Sequence, residues 1–351
     1  MYIILLKETG MKRFVKCLAI LMVLSSLFVS CNKNKSAWLT DYTTAQEQAQ
    51  KTKKNMLLLF SGDDWDGTSQ TLKETVLNQK AFYRPASKKY VLVNIDFSQE
   101  EYAKVNIADD ASEEEIAEAQ RIEQLYVERE DLAERFNLSA YPSLYVISPE
   151  GLALSQIFLE PLSSVELGEE EQEDKKETPA SLLEKIEATE EEQQILSELI
   201  AKIDAAEGLD RVRAIDALYQ ATDPELRNPL STFAQEVVSL DPQNQTGLVG
   251  KYEYELANER AMQYAMYTGD VVSASKEFEL VCETGHLSEL EKQNAYYMAA
   301  YILAMSSEPD FDKMLELLDR SYQQDTNSDL AAQILGVIEN IRQVKEEYSQ
   351  Q

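Results

Sequence analysis

Two kinds of apolar pattern divide this chain. Up to about residue 160 apolar residues come in short unbroken runs; beyond 180 they recur every three or four positions. The run M-L-L-L-F at 56–60 reads as a strand buried on both faces, as in the middle of a parallel sheet. A second run at 90–95 reads the same way, and 144–147 with 154–159 read as a hairpin around the turn Pro149-Glu150-Gly151. Before the first strand, Tyr42, Ala45 and Ala49 share one helical face, with Thr40 or Asp41 as the cap. After it, a polar turn containing Gly62 and Gly67 leads into a helix at 71–77 with Leu72, Val76 and Leu77 inward. The interval 97–137 reads as largely helical, with Ile116, Ile122, Leu125 and Leu132 as its apolar positions and an acidic start at 113–115.

From 180 to the end there is no strand pattern. Helical spacing appears in Leu182/Leu183/Ile186, Ile195/Leu199/Ile203, Val212/Ile215/Leu218 and Phe233/Val237/Val238. It continues in Phe278/Val281, Tyr297/Tyr301/Ile302, Met314/Leu317/Leu318 and Leu335/Ile338/Ile341. Helices are expected to end at Gly208, Asp223-Pro224, Asp241-Pro242, Gly269-Asp270 and Glu308-Pro309. Residues 163–179, S-S-V-E-L-G-E-E-E-Q-E-D-K-K-E-T-P, form an acidic linker that repels itself and marks a boundary.

Composition narrows the class. With 351 residues and 44% apolar content, the chain has material for two cores. Its 63 acidic and 33 basic residues give a net charge of −30, which repels nucleic acid and anionic lipid from the folded part. The single histidine, His286, rules out histidine metal clusters and leaves no room for a Ser-His-Asp set built on any other histidine. No glycine-rich phosphate loop and no basic aromatic patch is present, so no cofactor is implied.

The stretch around which the first half is organised is N-M-L-L-L-F-S-G-D-D-W-D-G-T-S at 55–69. Strand, tight turn and helix N-terminus resemble the active-site segment of the thioredoxin-like family, which carries W-C-x-x-C there. The opening A-W-L-T-D-Y, the strand Y-P-S-L-Y-V-I and the close S-P-E-G are similar to that family as well, over residues 37–162. The resemblance implies an α/β thioredoxin-like domain, a central mixed sheet flanked by helices, with a helical insertion at about 97–137. It implies also a cis bond at Tyr141-Pro142 facing the turn; the alternative is an ordinary trans proline opening a strand. Trp65 is kept, but Asp66 and Ser69 stand at the two cysteine positions, so the family's redox chemistry does not carry over. For 180–351 the expectation is an all-α domain of helical hairpins in series; 296–326 loosely resembles a tetratricopeptide helix pair.

Two readings of the turn stand side by side. Asp66 and Ser69 act as an N-cap on a helix that has lost its enzymatic role, or Asp63, Asp64 and Asp66 converge on a divalent cation. The fragment D-x-D-G resembles a calcium loop, though the later ligands are missing. Cys282 shares an apolar face with Phe278 and Val281 and reads as a buried thiol, and His286 as a surface or capping residue at a helix boundary. The tyrosines of the helical half, among them Tyr252, Tyr254, Tyr264, Tyr267, Tyr296, Tyr297 and Tyr301, pack a core or line a peptide-binding face.

The N-terminus supplies an address. Lys12, Arg13 and Lys16 precede an apolar stretch at 18–29 too short to span a membrane, and a start at Met11 would place the basic segment first. The stretch closes in L-F-V-S-C, which resembles the lipobox of bacterial lipoproteins and implies lipid attachment at Cys31; the alternative is a plain secretory signal with an incidental cysteine. Residues 1–30 are then the signal and 31–36 a tether. With Cys17 in the signal and Cys31 lipidated, Cys282 is the one thiol left, so no internal disulfide closes. The expectation is a non-enzymatic lipoprotein of the bacterial envelope, facing the periplasm or exterior. It touches the membrane only through its N-terminal lipid and binds a protein or peptide partner, not nucleic acid. A thiol–disulfide role and a cation-binding module are the alternatives.

Overall fold

A computed structural model describes residues 37–108, 110–159 and 176–348. The signal, the tether with Cys31 and most of the acidic linker lie outside the described residues, as does Cys17.

The first half folds as α1 (Tyr42–Thr52), β1 (Met56–Ser61), α2 (Gly67–Leu72, running on as a π turn Lys73–Leu77), α3 (Lys80–Lys89), β2 (Val91–Asp96), α4 (Gln99–Tyr102), α5 (Glu113–Arg135), β3 (Ser143–Ile147) and β4 (Ala153–Ile157). The sheet order is β2-β1-β3-β4. Strand β1 runs parallel to β2 but antiparallel to β3, so the expectation of a parallel surround holds on one side only. The hairpin return stops at Ile157 rather than 159, and α2 starts at Gly67 rather than 71 because Asp66 caps it there.

Each residue of β1 is buried, and the two-residue period sends alternate side chains into different cores. Met56, Leu58 and Phe60 join Tyr42, Ala45 and Ala49 of α1 with Phe136. Leu57 and Leu59 join Leu72, Val76 and Leu77 of α2, Phe82 and Ala86 of α3, and Trp38, which stacks on Phe82 at 6.5 Å. Helix α5 opens with a capping box, Ser112 with Glu115, and buries Ala119, Ile122, Tyr126 and Arg129. Ile116 is exposed, because burial on α5 begins only at Ala119.

The second half runs α6 (Pro179–Ala188), α7 (Glu190–Ala205), α8 (Gly208–Ala221), α9 (Ser231–Leu240), α10 (Val249–Gln263, extended by a π turn Tyr264–Thr268), α11 (Val271–Glu283), α12 (Glu289–Leu303), α13 (Phe311–Gln324) and α14 (Asp329–Tyr348). No strand lies among its described residues. Gly208 opens α8 instead of ending α7, which stops at Ala205, whereas Gly269 closes the π turn in the left-handed conformation at φ +68°. On α7 the buried face is Gln193, Leu196, Ile200 and Ile203, so Ile195 faces water. Gln193, on the same face, accepts from the Tyr90 hydroxyl at 3.2 Å. The expected inward positions Tyr301 and Leu335 are likewise exposed; Ala299 and Ala300 on α12 and Ile334 and Ile338 on α14 take the buried places.

The covalent boundary and the packing boundary do not coincide. Leu182, Ile186, Leu196, Ile200 and Ile203 lie in the same core as Leu57 and Phe82, which continues through α8 and α9 to Tyr252. A polar seam runs along this junction: Lys89 pairs with Glu190 at 2.6 Å, and Ser155 donates to Thr189 at 3.2 Å. A separate core begins at Ala257 and holds α11 to α14. Helices α6 and α7 therefore complete the covering of the sheet, α8 and α9 extend the same core, and the later helices gather around a second one.

This predicts joint unfolding. Ile186→Ala, at a site 2% exposed, should cost about 2–5 kcal/mol and should bring down the sheet with the helices. Trp38 fluorescence and far-ultraviolet dichroism should fall at one shared midpoint. A variant in which only the helical signal moves would mean two independent domains.

Candidate functional site

The site follows from strand ends. Strand β1 stops at Ser61, beside Asp96 at the end of β2 and one residue beyond Phe60, which pairs with Ser143 of β3. The register thus brings the turn 62–69, the end of β2 and Pro142 to one edge of the sheet. The Tyr141–Pro142 peptide is cis. Tyr141 packs edge-on against the Trp65 ring at 5.2 Å.

At the two positions flanking the turn, Asp66 and Ser69 bind each other. The Asp66 carboxylate accepts from the Ser69 backbone N–H at 2.8 Å and from its hydroxyl at 2.5 Å. Ser69 is fully buried and accepts in turn from the Gly62 N–H at 3.2 Å. A carboxylate at a helix start satisfies an orphan N–H and faces the positive end of the dipole, which is a complete structural role.

The three aspartates do not converge. Asp63 pairs with Lys73, at the start of the π turn that continues α2. Asp64 turns to the start of α4, accepting from the N–H groups of Gln99 and Glu100 at 3.0 and 2.6 Å and from the Ser98 hydroxyl at 2.7 Å. Partial burial works against its charge, but those donors outweigh it and hold the carboxyl below the usual range. Among the described residues no cluster of three metal-binding side chains exists. The convergence expected from spacing alone fails because each carboxylate is drawn to a separate donor set.

Beneath the turn, Asp96 accepts from the Asp63 N–H at 2.8 Å, while Ser61 donates to Asn94 at 2.9 Å. Burial raises the Asp96 pKa above the ordinary carboxylate value; the Asp63 N–H opposes the shift and the Asp63 charge adds to it.

Sequence reading missed the aromatic neighbours. Trp65 donates its indole N–H to the Phe97 carbonyl at 2.6 Å, and a Cβ on Gly62 would collide with the indole. Phe97 touches Tyr141 at 5.4 Å and Tyr126 at 6.4 Å, and Tyr126 touches Tyr102 at 4.8 Å. Arg129 lies over the Tyr126 ring at 4.8 Å and pairs with Glu101 at 2.8 Å. Tyr126 and Arg129 follow Ile122 at helical spacing, so their burial was readable; their partners Phe97, Glu101 and Tyr102, 24 to 29 residues away in the chain, were not. Cys282 is far from all of this, buried in the second core with its thiol pushed up to about 11, chiefly by burial. His286 is half-buried, its Nδ1 3.0 Å from Glu253.

Comparison with known proteins fits this geometry. Residues 37–143 match the family model described as thioredoxin-like. The first half is a thioredoxin-like domain. Residues 248–347 match a model described as an uncharacterised protein C-terminal domain, a span that starts at α10 and takes in the whole second core. An uncharacterized protein of Treponema pallidum (strain Nichols) is 26% identical over 142 residues, 40% of this chain and 46% of that one. Thioredoxin-related protein DsbJ of Chlamydia pneumoniae is 24% identical over 96 residues, 26% of this chain and 28% of that one. The chain thus spans less than half the length of either relative. Among solved structures, DsbH oxidoreductase aligns with 46% of this chain and 91% of its own, at 18% identity and a TM-score of 0.29.

Two outcomes are expected from the thioredoxin-like turn. Ser69→Ala leaves the buried Gly62 N–H without its acceptor and should cost about 1–3 kcal/mol, and Asp66→Ala should cost about 0.5–2 kcal/mol, both read from denaturant unfolding. Asp96→Asn should act in the other direction. The folded state holds the Asp96 proton more tightly than the unfolded chain, so the ionised carboxyl costs stability above its folded pKa. That cost fades as pH falls through the folded pKa toward the unfolded value of 3.8. The variant should therefore melt higher than the parent at neutral pH and at the same temperature below that value.

Proposed function

We propose that the chain is a redox-inactive thioredoxin-like lipoprotein of the bacterial envelope that binds a protein or peptide partner. The observation that carries this reading is the Asp66–Ser69 pair. Where the family places an attacking and a resolving sulfur, this chain has a carboxylate and a hydroxyl closed on each other at 2.5 Å. Thiol exchange needs a thiolate with access to a disulfide. Cys282 offers neither, being buried with a raised pKa. The lipobox resemblance at Cys31 supports the envelope address, and the helical half, with its loosely tetratricopeptide-like pair at 296–326, supports a binding role.

A thiol-related role is the second reading, favoured by the relative named thioredoxin-related protein DsbJ. An insulin-reduction assay on the full chain with dithiothreitol separates the two. The parent should not accelerate precipitation, and Asp66→Cys with Ser69→Cys should give a measurable rate. Reduction by the parent that survives Cys282→Ser but not Ser69→Ala would overturn the redox-inactive reading.

A further inference from the structure

The thioredoxin-like domain and the helical half meet around a cleft of about 650 Å³, between the end of α5, the loop 227–232 and the outer face of α10 with its π turn. Pockets of this size hold a small ligand or a few side chains. Its floor is fixed from below. The Tyr219 ring lies between Lys251, 4.0 Å from its centroid, and Arg227, 4.5 Å away. Its hydroxyl donates to Glu255 at 2.9 Å, and burial pushes its pKa up to about 12, so the proton stays on the tyrosine.

Four carboxylates, on Asp131, Glu134, Glu255 and Glu259, line the cleft against two cations, Arg135 and Arg227, each held in place by a backbone carbonyl. Arg135 donates to the Gly151 carbonyl at 2.8 Å and lies over the Phe136 ring; Arg227 donates to the Thr222 carbonyl at 3.0 Å. Asp131 on α5 and Glu259 on α10 face the opening exposed, and neither forms an ion pair among the described residues. The lip is apolar: Met262 is 42% exposed and Met266, on the π turn, 72%. Methionine adapts its shape to what it touches, and π turns occur often at functional sites. An excess of carboxylates beside flexible apolar side chains fits one chemistry, a long cationic side chain whose aliphatic stem lies on the methionines.

We propose that this cleft docks a cationic segment of a partner polypeptide, a lysine or arginine side chain with an apolar neighbour. The inference rests on the reading of the chain as a binding module and assigns that module its surface and the chemistry of its partner. Neither half supplies the site alone: Asp131 comes from the helical insertion of the first half, Glu259 and Met266 from the second.

The test uses the full chain and a short fluorescein-labelled peptide of alternating lysine and leucine, followed by anisotropy at about 150 mM salt, where long-range attraction is screened. Asp131→Asn with Glu259→Gln should weaken binding about tenfold, and Met266→Ala should weaken it several-fold, with unchanged melting curves. Glu346→Gln with Glu347→Gln, which removes the same charge at the end of α14 outside the cleft, should change binding less than about twofold. Equal loss in both charge pairs, no loss in the cleft pair, or equal binding of a glutamate–leucine peptide would each overturn the proposal. Crosslinked capture from the native envelope separates this from the broader reading. If the cleft pair binds the probe like the parent while capture survives Ser69→Ala, the cleft assignment fails and the binding module stands. If Ser69→Ala releases the captured partner without moving the melting curve, the turn itself is the binding surface, and the view of it as purely structural fails.

Discussion

Burial of both faces of β1 is the constraint on which this molecule depends. Five consecutive apolar side chains from Met56 to Phe60 are 0–1% exposed, each worth about 1.5–3 kcal/mol when removed from water. A strand that is apolar on each face has to be roofed twice. One roof is built by α1 and Phe136. The other begins with α2 and α3 and is finished only by α6 and α7 from the far side of the acidic linker, with α8 and α9 extending the same core. The linker separates these pieces in sequence, but the sheet needs them together. The divide that packing draws lies instead near Ala257, within α10, where the second core starts and close to where the match to the uncharacterised C-terminal domain begins.

This accounts for what was legible. The strands could be read because an apolar run bounded by polar turns leaves few alternatives, and the cap at Asp66 because an aspartate before a helical pattern has a local job. Local signals end there. Periodicity names a face but not what covers it: on α7 Leu196 rather than Ile195 is buried, in a core shared with Leu57 and Phe82 from the other half of the chain. Helix α3 carries Pro85 inside it, which argues against a helix locally and is outweighed by the burial of Phe82 and Ala86. The aspartates at 63, 64 and 66 read as one cluster because spacing gives nearness along the chain, not direction. Lys73, Ser98 and Ser69 each draw one of them away.

The polar chemistry of the turn is consistent with a site turned inward. Every strong hydrogen bond there serves the fold: Asp66 holds the start of α2, Asp64 the start of α4, and Ser69 the Gly62 amide. Trp65, Tyr141, Phe97 and Tyr126 then tie the turn to the insertion helix α5 through ring contacts. A cysteine pair at such a turn must be able to open its bond to a substrate. A carboxylate capping a helix gains from staying closed.

The same insertion helix that is anchored at the turn through Tyr126 and Arg129 reaches the helical half with its other end, where Asp131 lines the cleft beside α10. One element of 23 residues thus connects the edge of the sheet that carries the turn with the junction of the two halves. Its buried stripe pairs Arg129 with Glu101, whereas two residues further on Asp131 forms no ion pair among the described residues. On a chain of net charge −30 an exposed carboxylate is ordinary; one held beside methionines over a fixed tyrosine floor is not. Arg135 and Arg227 keep their charge but are held in place by the Gly151 and Thr222 carbonyls. Facing them, Asp131 and Glu134 from one half and Glu255 and Glu259 from the other leave the lining with two more carboxylates than cations, an excess that exists only where the two halves meet.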